Sequence, residues 1–123
     1  MKKIIATTIF ESLGSAIRLD VYRLLVRQGT QGMVAGEIGD ALDIPPTNLS
    51  FHLKALTHAR LVTVEQEGRF QRYRANIPLM LETIAYLTEE CCSGHPEQCM
   101  GPRSASECAD TERSPITSTE VKA

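Results

Sequence analysis

The sequence contains no tryptophan and only three phenylalanines and three tyrosines among its 123 residues. Aliphatic side chains must therefore supply most of any hydrophobic core. The hydrophobic fraction of 42% is ordinary for a folded protein. A chain of this length fits one domain with a single modest core.

Long apolar runs are also missing. The apolar residues 4–10 follow Lys2 and Lys3 and superficially resemble a secretory signal, but Glu11 ends the run early and no small-residue cleavage site follows. No stretch approaches the roughly 20 apolar residues that a membrane helix needs. We therefore expect no membrane association and a cytoplasmic location, where thiols stay reduced.

The features of an enzyme are absent as well. We find neither a nucleophile–base–oxyanion arrangement nor a phosphate-binding glycine loop, so the sequence predicts that the chain is not an enzyme. The formal net charge of −2 does not by itself indicate a nucleic-acid binder. However, residues 54–74 contain five basic and two acidic side chains, whereas residues 91–123 contain three basic and five acidic ones. This distribution predicts a basic surface on the domain and an acidic C-terminal segment.

Apolar residues recur at helical spacing in the first half of the chain. The pattern predicts one helix ending at Gly14, a second capped by Ser15 and ending near Gln28, and a third over residues 34–42 after a loop at 29–32. A fourth helix is predicted over residues 46–58, because proline is tolerated in the first turn.

The second half begins with two predicted strands, residues 63–65 and 72–74, around a turn near 66–68. A last helix follows, with Met80, Ile84, Leu87 and Cys91 on one face. The fold class is thus mostly α with a small β-hairpin, in the order α-α-α-α-β-β-α of a winged helix-turn-helix. We assign residues 1–92 to this domain and 93–123 to a metal-binding loop and an acidic tail expected to be disordered.

Residues 49–56, Leu-Ser-Phe-His-Leu-Lys-Ala-Leu, resemble the S-x-H-L-x-x-L recognition helix of the ArsR/SmtB family of metal-sensing repressors. Arg60-Leu61-Val62, Glu67-Gly68-Arg69 and Tyr73 match the wing of that family, and the resemblance covers about residues 3–92. It implies a repressor bound to double-stranded operator DNA as a homodimer paired through its first and last helices. Pairing would cover the apolar side chains of Ile5, Ile9, Ile84 and Leu87.

The fourth helix separates into two faces on a helical wheel. Three leucines, at positions 49, 53 and 56, face the core, whereas Phe51 lies nearly opposite, where it could contact a thymine methyl group in the major groove or pack against a neighbouring element. His52, on the flank, is interpreted as a structural, hydrogen-bonding residue. The candidate DNA-contacting residues of this helix are Thr47, Asn48, Ser50, Phe51 and Lys54.

The candidates in the wing are Arg69, Arg72 and Arg74. Arg72 and Arg74 share one face of a strand, and Tyr73 points the other way. Guanidinium groups beside a recognition helix suit phosphate contact or insertion into the minor groove. A solvated hairpin surface is the alternative.

All four cysteines lie between positions 91 and 108. Cys91 and Cys92 are adjacent, which makes an intramolecular disulfide between them unfavourable and a soft-metal chelate favourable. Together with Cys99 they form a candidate three-thiolate site that suits As(III) or Sb(III) as inducer. Zinc prefers four ligands, and His95 or Cys108 could supply the fourth, so Zn, Cd or Pb stay open.

The sequence thus predicts a repressor that leaves its operator when a metalloid binds. Many arsenic-responsive members of the family carry cysteines in an E-L-C-V-C-D-L-type segment, and the matching residues 34–42 have none. The chain resembles members whose site has moved to the last helix and C-terminal extension. A thiol redox switch and a metal-binding interaction module that does not bind DNA are the alternatives, and Cys91 could instead be a small buried hydrophobe.

Overall fold

A computed structural model of the protein describes residues 1–90. Its elements are α1 Lys3–Leu13, α2 Ala16–Gln28, a 3-10 turn Gly29–Gln31, β1 Met33–Val34, α3 Ala35–Leu42, α4 Pro46–His58, β2 Val62–Glu67, β3 Phe70–Ala75 and α5 Ile77–Thr88. This order confirms the mostly α winged helix-turn-helix. The tail expected to be disordered, residues 93–123, lies outside the described residues.

The chain divides into two units after Tyr86. The first, Met1–Tyr86, contains the winged domain, and the second begins at Leu87 within α5. Only residues 87–90 of the second unit are described. The boundary expected between residues 92 and 93 therefore stays a prediction.

Local sequence signals account for the helix boundaries. The hydroxyl of Ser15 accepts a hydrogen bond from the backbone N–H of Arg18 (3.3 Å), which confirms Ser15 as the N-cap of α2. Gly29 ends that helix with a φ of 64°, a conformation that glycine adopts at little cost. Pro46 occupies the first turn of α4, and α4 has the bounds that the sequence predicted.

The sheet has three antiparallel strands in the order β1-β3-β2, one more than expected. Val34 was assigned to the start of the third helix, but it belongs to β1 and pairs with β3, opposite Arg72, next to Met33 opposite Tyr73. Two residues are too short to show the alternation that marks a strand. β2 and β3 are each six residues long, so the predicted strands were too short.

Gly32 makes the close approach of β1 to β3 possible. Its φ is +64°, and a Cβ atom at this position would overlap the backbone oxygen of Tyr73 and lie 2.7 Å from Cγ of Arg74. Glycine is therefore required here by both backbone conformation and space.

One core of mainly aliphatic side chains lies between α1, α2, α3, α4 and the sheet. Leu49, Leu53 and Leu56 of α4 are all buried, as the helical wheel predicted. Ile9 is 0% exposed and belongs to this core. Its assignment to a dimer surface was wrong, because the face of α1 that carries Ile9 packs inward within one subunit.

Within residues 1–90, no helix combines the length and apolar character needed to cross a lipid bilayer.

Candidate nucleic-acid interface

A short turn at residues 43–45 connects α3 to α4. Asp43 adopts a left-handed conformation with a φ of 56°, which an aspartate tolerates better than most residues. The N–H of Ile44 then donates to the carbonyl of Gly39 (3.0 Å) and closes the end of α3. Pro45 and Pro46 start α4 immediately afterwards.

The outward face of α4 is polar except for one aromatic ring. Phe51 is 67% exposed, and Lys54 beside it is exposed as well. Leu53, by contrast, is only 2% exposed. The structure brings all five candidates of this helix to one solvent-accessible surface, and each is exposed: Thr47, Asn48, Ser50, Phe51 and Lys54.

His52 lies between these two faces and has a structural partner. Nη1 of Arg18 lies 3.5 Å from Nδ1 of His52, while Nε of Arg18 donates to the carbonyl of Ser12 (2.6 Å). A guanidinium group can only donate, so the imidazole nitrogen is the acceptor in this contact. Arg18 thus links α1, α2 and α4, in agreement with the structural role expected for His52.

The tip of the wing carries an exposed arginine. Gly68 has a φ of 62° and forms the turn between β2 and β3, with Arg69 exposed next to it. Phe70 is 57% exposed, and no sequence pattern had singled it out. Among the described residues, no ion pair involves Arg69. Its charge is therefore available to an anion such as a phosphate.

Arg72 and Arg74 are arranged differently, because both guanidinium groups bind acceptors within the protein. Nε of Arg72 lies 3.0 Å from each carboxylate oxygen of Glu67, and its Nη1 donates to the carbonyl of Gln31 (3.1 Å). Nη1 of Arg74 donates to Glu65 (2.7 Å), and its Nε donates to the carbonyl of Thr30 (2.7 Å). The predicted phosphate contacts of these two arginines remain predictions.

Tyr73 lies on the opposite face of β3 from Arg72 and Arg74 and is buried, as the alternation predicted. Tyr73 is 9% exposed and donates to Oε1 of Gln71 (3.1 Å). Burial raises the pKa of the Tyr73 hydroxyl above its usual value, and burial does the same to the pKa of Tyr22 in α2. The wing is therefore anchored to the core by a neutral phenol.

The candidate metal ligands Cys91, Cys92 and Cys99 lie outside the described residues, as do His95 and Cys108. Within residues 1–90, no group of three or more His, Cys, Asp or Glu side chains could hold a metal ion. The three-cysteine site stays a prediction from the sequence.

Residues 13–65 match the model of a helix-turn-helix domain family, which spans α2 to α4 and the start of β2. The chain carries a winged helix-turn-helix domain. Among curated proteins, no sequence matches it.

Solved structures share this winged helix-turn-helix fold. An ArsR-like transcriptional regulator from Rhodococcus sp. RHA1 is similar with a TM-score of 0.63 and 23% identity, over 77% of this chain and 86% of that one. HlyU from Vibrio cholerae N16961 gives a TM-score of 0.57 and 23% identity, over 71% of this chain and 97% of that one.

A third similar structure is the homodimeric winged helix-turn-helix DNA-binding domain (fragment 1–100) of a possible ArsR-family transcriptional regulator from Mycobacterium bovis. Its TM-score is 0.54 at 24% identity, over 72% of this chain and 82% of that one. The comparisons thus show the winged helix-turn-helix fold for this chain.

Proposed function

We propose that the protein is an ArsR-family transcriptional repressor that binds operator DNA as a homodimer in the cytoplasm. The observation that carries this proposal is the outward face of α4, where Phe51 is 67% exposed among polar side chains on a helix-turn-helix unit. Exposure of an aromatic ring to water on such a surface costs free energy. Contact with a base would remove that cost.

The chemistry of this face suits the major groove of B-DNA. The ring of Phe51 can contact the thymine methyl group, and the amide of Asn48 can bind the edge of an adenine. Lys54 on the same helix and Arg69 at the wing tip supply cations for phosphates on either side. The proposed interface thus combines base-reading groups with groups that fix the position of the protein on DNA.

Binding to two DNA duplexes of equal length tests this function. One carries the region upstream of the gene that encodes the chain, and the other has a random sequence. At a fixed salt concentration we expect the upstream duplex to bind at least about 10³-fold more tightly, the lower end of the range for specific regulators. Equal affinity for both would contradict a repressor of its own promoter, and no binding to either would contradict DNA binding altogether.

The homodimer is proposed from exposed apolar side chains on α1 and α5. Ile4 is 70% exposed and Leu81 is 60% exposed, and both are large aliphatic residues. The M. bovis relative with the same fold is homodimeric. Two recognition helices linked by a two-fold axis would occupy half-sites one helical turn of DNA apart. Sedimentation of the protein at micromolar concentration tests this, with about 27 kDa expected for two 13.6-kDa chains.

We further propose that the inducer is trivalent arsenic or antimony, held by Cys91, Cys92 and Cys99. Three thiolates within nine residues satisfy the three-coordinate preference of these metalloids. Binding can release the operator only if the metalloid favours a dimer conformation that fits DNA poorly. The free energy that couples the two sites is therefore set by how much more tightly the metalloid binds the dimer conformation that fits DNA poorly than the conformation that fits it well.

Titration of the reduced protein with arsenite, followed by counting the remaining free thiols, tests the ligand set. We expect three of the four thiols per chain to be protected at one equivalent of arsenite, and the same count in the Cys108→Ser variant out of its three thiols. Protection of all four thiols by zinc, cadmium or lead at lower concentration would instead support a four-ligand metal site. Loss of thiols only under oxidising conditions would support a redox switch.

A further inference from the structure

Both arginines in the second half of the wing connect the hairpin to the segment between α2 and β1. Arg72 binds Glu67 in the hairpin and the carbonyl of Gln31 outside it. Arg74 binds Glu65 in the hairpin and the carbonyl of Thr30 outside it. Each guanidinium group therefore joins one carboxylate of β2 to one backbone oxygen that precedes β1.

The strand register explains these pairs. Residues of β2 and β3 that share a face alternate with a period of two, and Glu65 lies directly opposite Arg72. The observed pairs are diagonal, from Arg72 to Glu67 and from Arg74 to Glu65, a spacing that long side chains reach across antiparallel strands. A second nitrogen of each guanidinium group, Nη1 of Arg72 and Nε of Arg74, donates to the backbone at residues 30–31.

The two arginine side chains are also partly shielded from solvent. The side chains of Arg72 and Arg74 are 24% and 32% exposed, whereas the side chain of Arg69 is exposed and has no ion pair among the described residues. A phosphate at Nε of Arg72 would have to displace a carboxylate whose two oxygens each lie 3.0 Å from that atom. Arg69 has no such competitor.

We infer that Arg72 and Arg74 are positioning residues that fix the wing relative to the rest of the domain, and that Arg69 is the phosphate contact of the wing. This inference rests on the proposed DNA-binding function. The wing is then oriented before DNA arrives, so binding does not have to order it.

The salt dependence of binding separates the two roles. Each lost phosphate contact lowers the slope of log K against log salt concentration by about 0.9, hence roughly 1.8 for a dimer with two wings. On a random-sequence duplex we expect Arg69→Ala to show this decrease. We expect Arg72→Ala and Arg74→Ala to weaken binding while leaving the slope close to the parent value, because no phosphate contact is lost.

Hydrogen exchange of the DNA-free protein supplies a second measurement. Arg72→Ala and Arg74→Ala should each speed the exchange of backbone amides in residues 30–34 and 70–75, because these segments lose a side-chain contact that connects them. Arg69→Ala should leave that exchange unchanged. Arg23→Ala, which removes an exposed arginine of α2, is the matched control and should change neither measurement.

Glu67→Gln breaks the same ion pair from the other side and keeps the arginine. If Arg72 positions the wing, Glu67→Gln and Arg72→Ala should both speed exchange, and neither should lower the slope. A slope lowered by Arg72→Ala as much as by Arg69→Ala would overturn the inference, and so would an unchanged slope in Arg69→Ala. Failure of the parent protein to bind any DNA would instead refute the proposed function.

Discussion

Replacement of Phe51 by alanine should weaken operator binding without weakening the fold. The ring is 67% exposed in the free protein, so few of its contacts stabilise the domain. Surface substitutions of this kind change the free energy of unfolding by no more than about 0.5 kcal/mol. Any larger loss of function would therefore arise at the DNA.

The size of the effect follows from the area that DNA could cover. A phenylalanine buries roughly 200 Å² when fully enclosed, and covering the exposed two thirds at about 25 cal/mol per Å² gives an upper bound of about 3 kcal/mol per protomer. Base contacts of this type contribute roughly 1–3 kcal/mol. We expect a 5- to 150-fold loss of affinity, approximately, at each half-site.

Fluorescence anisotropy with labelled operator and random duplexes, at one salt concentration, measures both affinities. Phe51→Ala should weaken the operator complex and leave the random complex nearly unchanged. The control is Leu53→Ala on the opposite face of α4, which is 2% exposed and should cost about 2–5 kcal/mol of stability. Equal weakening on both duplexes, or a thermal midpoint lowered as far as in Leu53→Ala, would refute the assignment of this face to base contact.

Four further changes have defined outcomes. Leu81→Glu should produce a monomer in sedimentation and lose operator affinity, because charge enters the proposed apolar interface; a stable dimer would contradict this. Gly32→Ala should lower the free energy of unfolding, measured in urea, by about 1–3 kcal/mol because of its backbone conformation alone. The overlap of the new Cβ atom with β3 should lower it further. Ser15→Ala should cost about 1 kcal/mol of stability through loss of the α2 cap. Burial raises the pKa values of Tyr22 and Tyr73, so the unfolded chain loses these phenol protons at lower pH than the folded chain does. This contribution to the free energy of unfolding should be fully present below about pH 10 and be lost as pH rises above that value.

Periodicity and capping residues were sufficient for most of the fold. Ser15 and Pro46 start their helices where the sequence placed them, since both signals act within one turn of chain. The two-residue strand β1 could not be found in this way, because it exists only through its pairing with β3. The burial of Ile9 was missed for a related reason, since helical spacing does not tell which apolar residues meet the core of their own subunit.

In the candidate interface, local pattern predicted the exposed face of α4 but not the contacts of the wing arginines. The outward position of Phe51 followed from the helical wheel alone. The partners of Arg72 and Arg74 did not, although a signal was present: Glu65 and Glu67 repeat with the same period on the neighbouring strand. The contacts with residues 30–31 depend on tertiary structure, which local pattern cannot supply.

Release of labelled operator DNA by arsenite under reducing conditions tests the central claim most directly, because it requires DNA binding, metalloid binding and their coupling at once. The parent protein and Cys108→Ser should release the operator, whereas Cys91→Ser, Cys92→Ser and Cys99→Ser should bind it normally and fail to release it. Normal release by all four variants would contradict arsenic sensing by these thiols. Release by Cys99→Ser together with no release by Cys108→Ser would show that the tail cysteine is the third ligand.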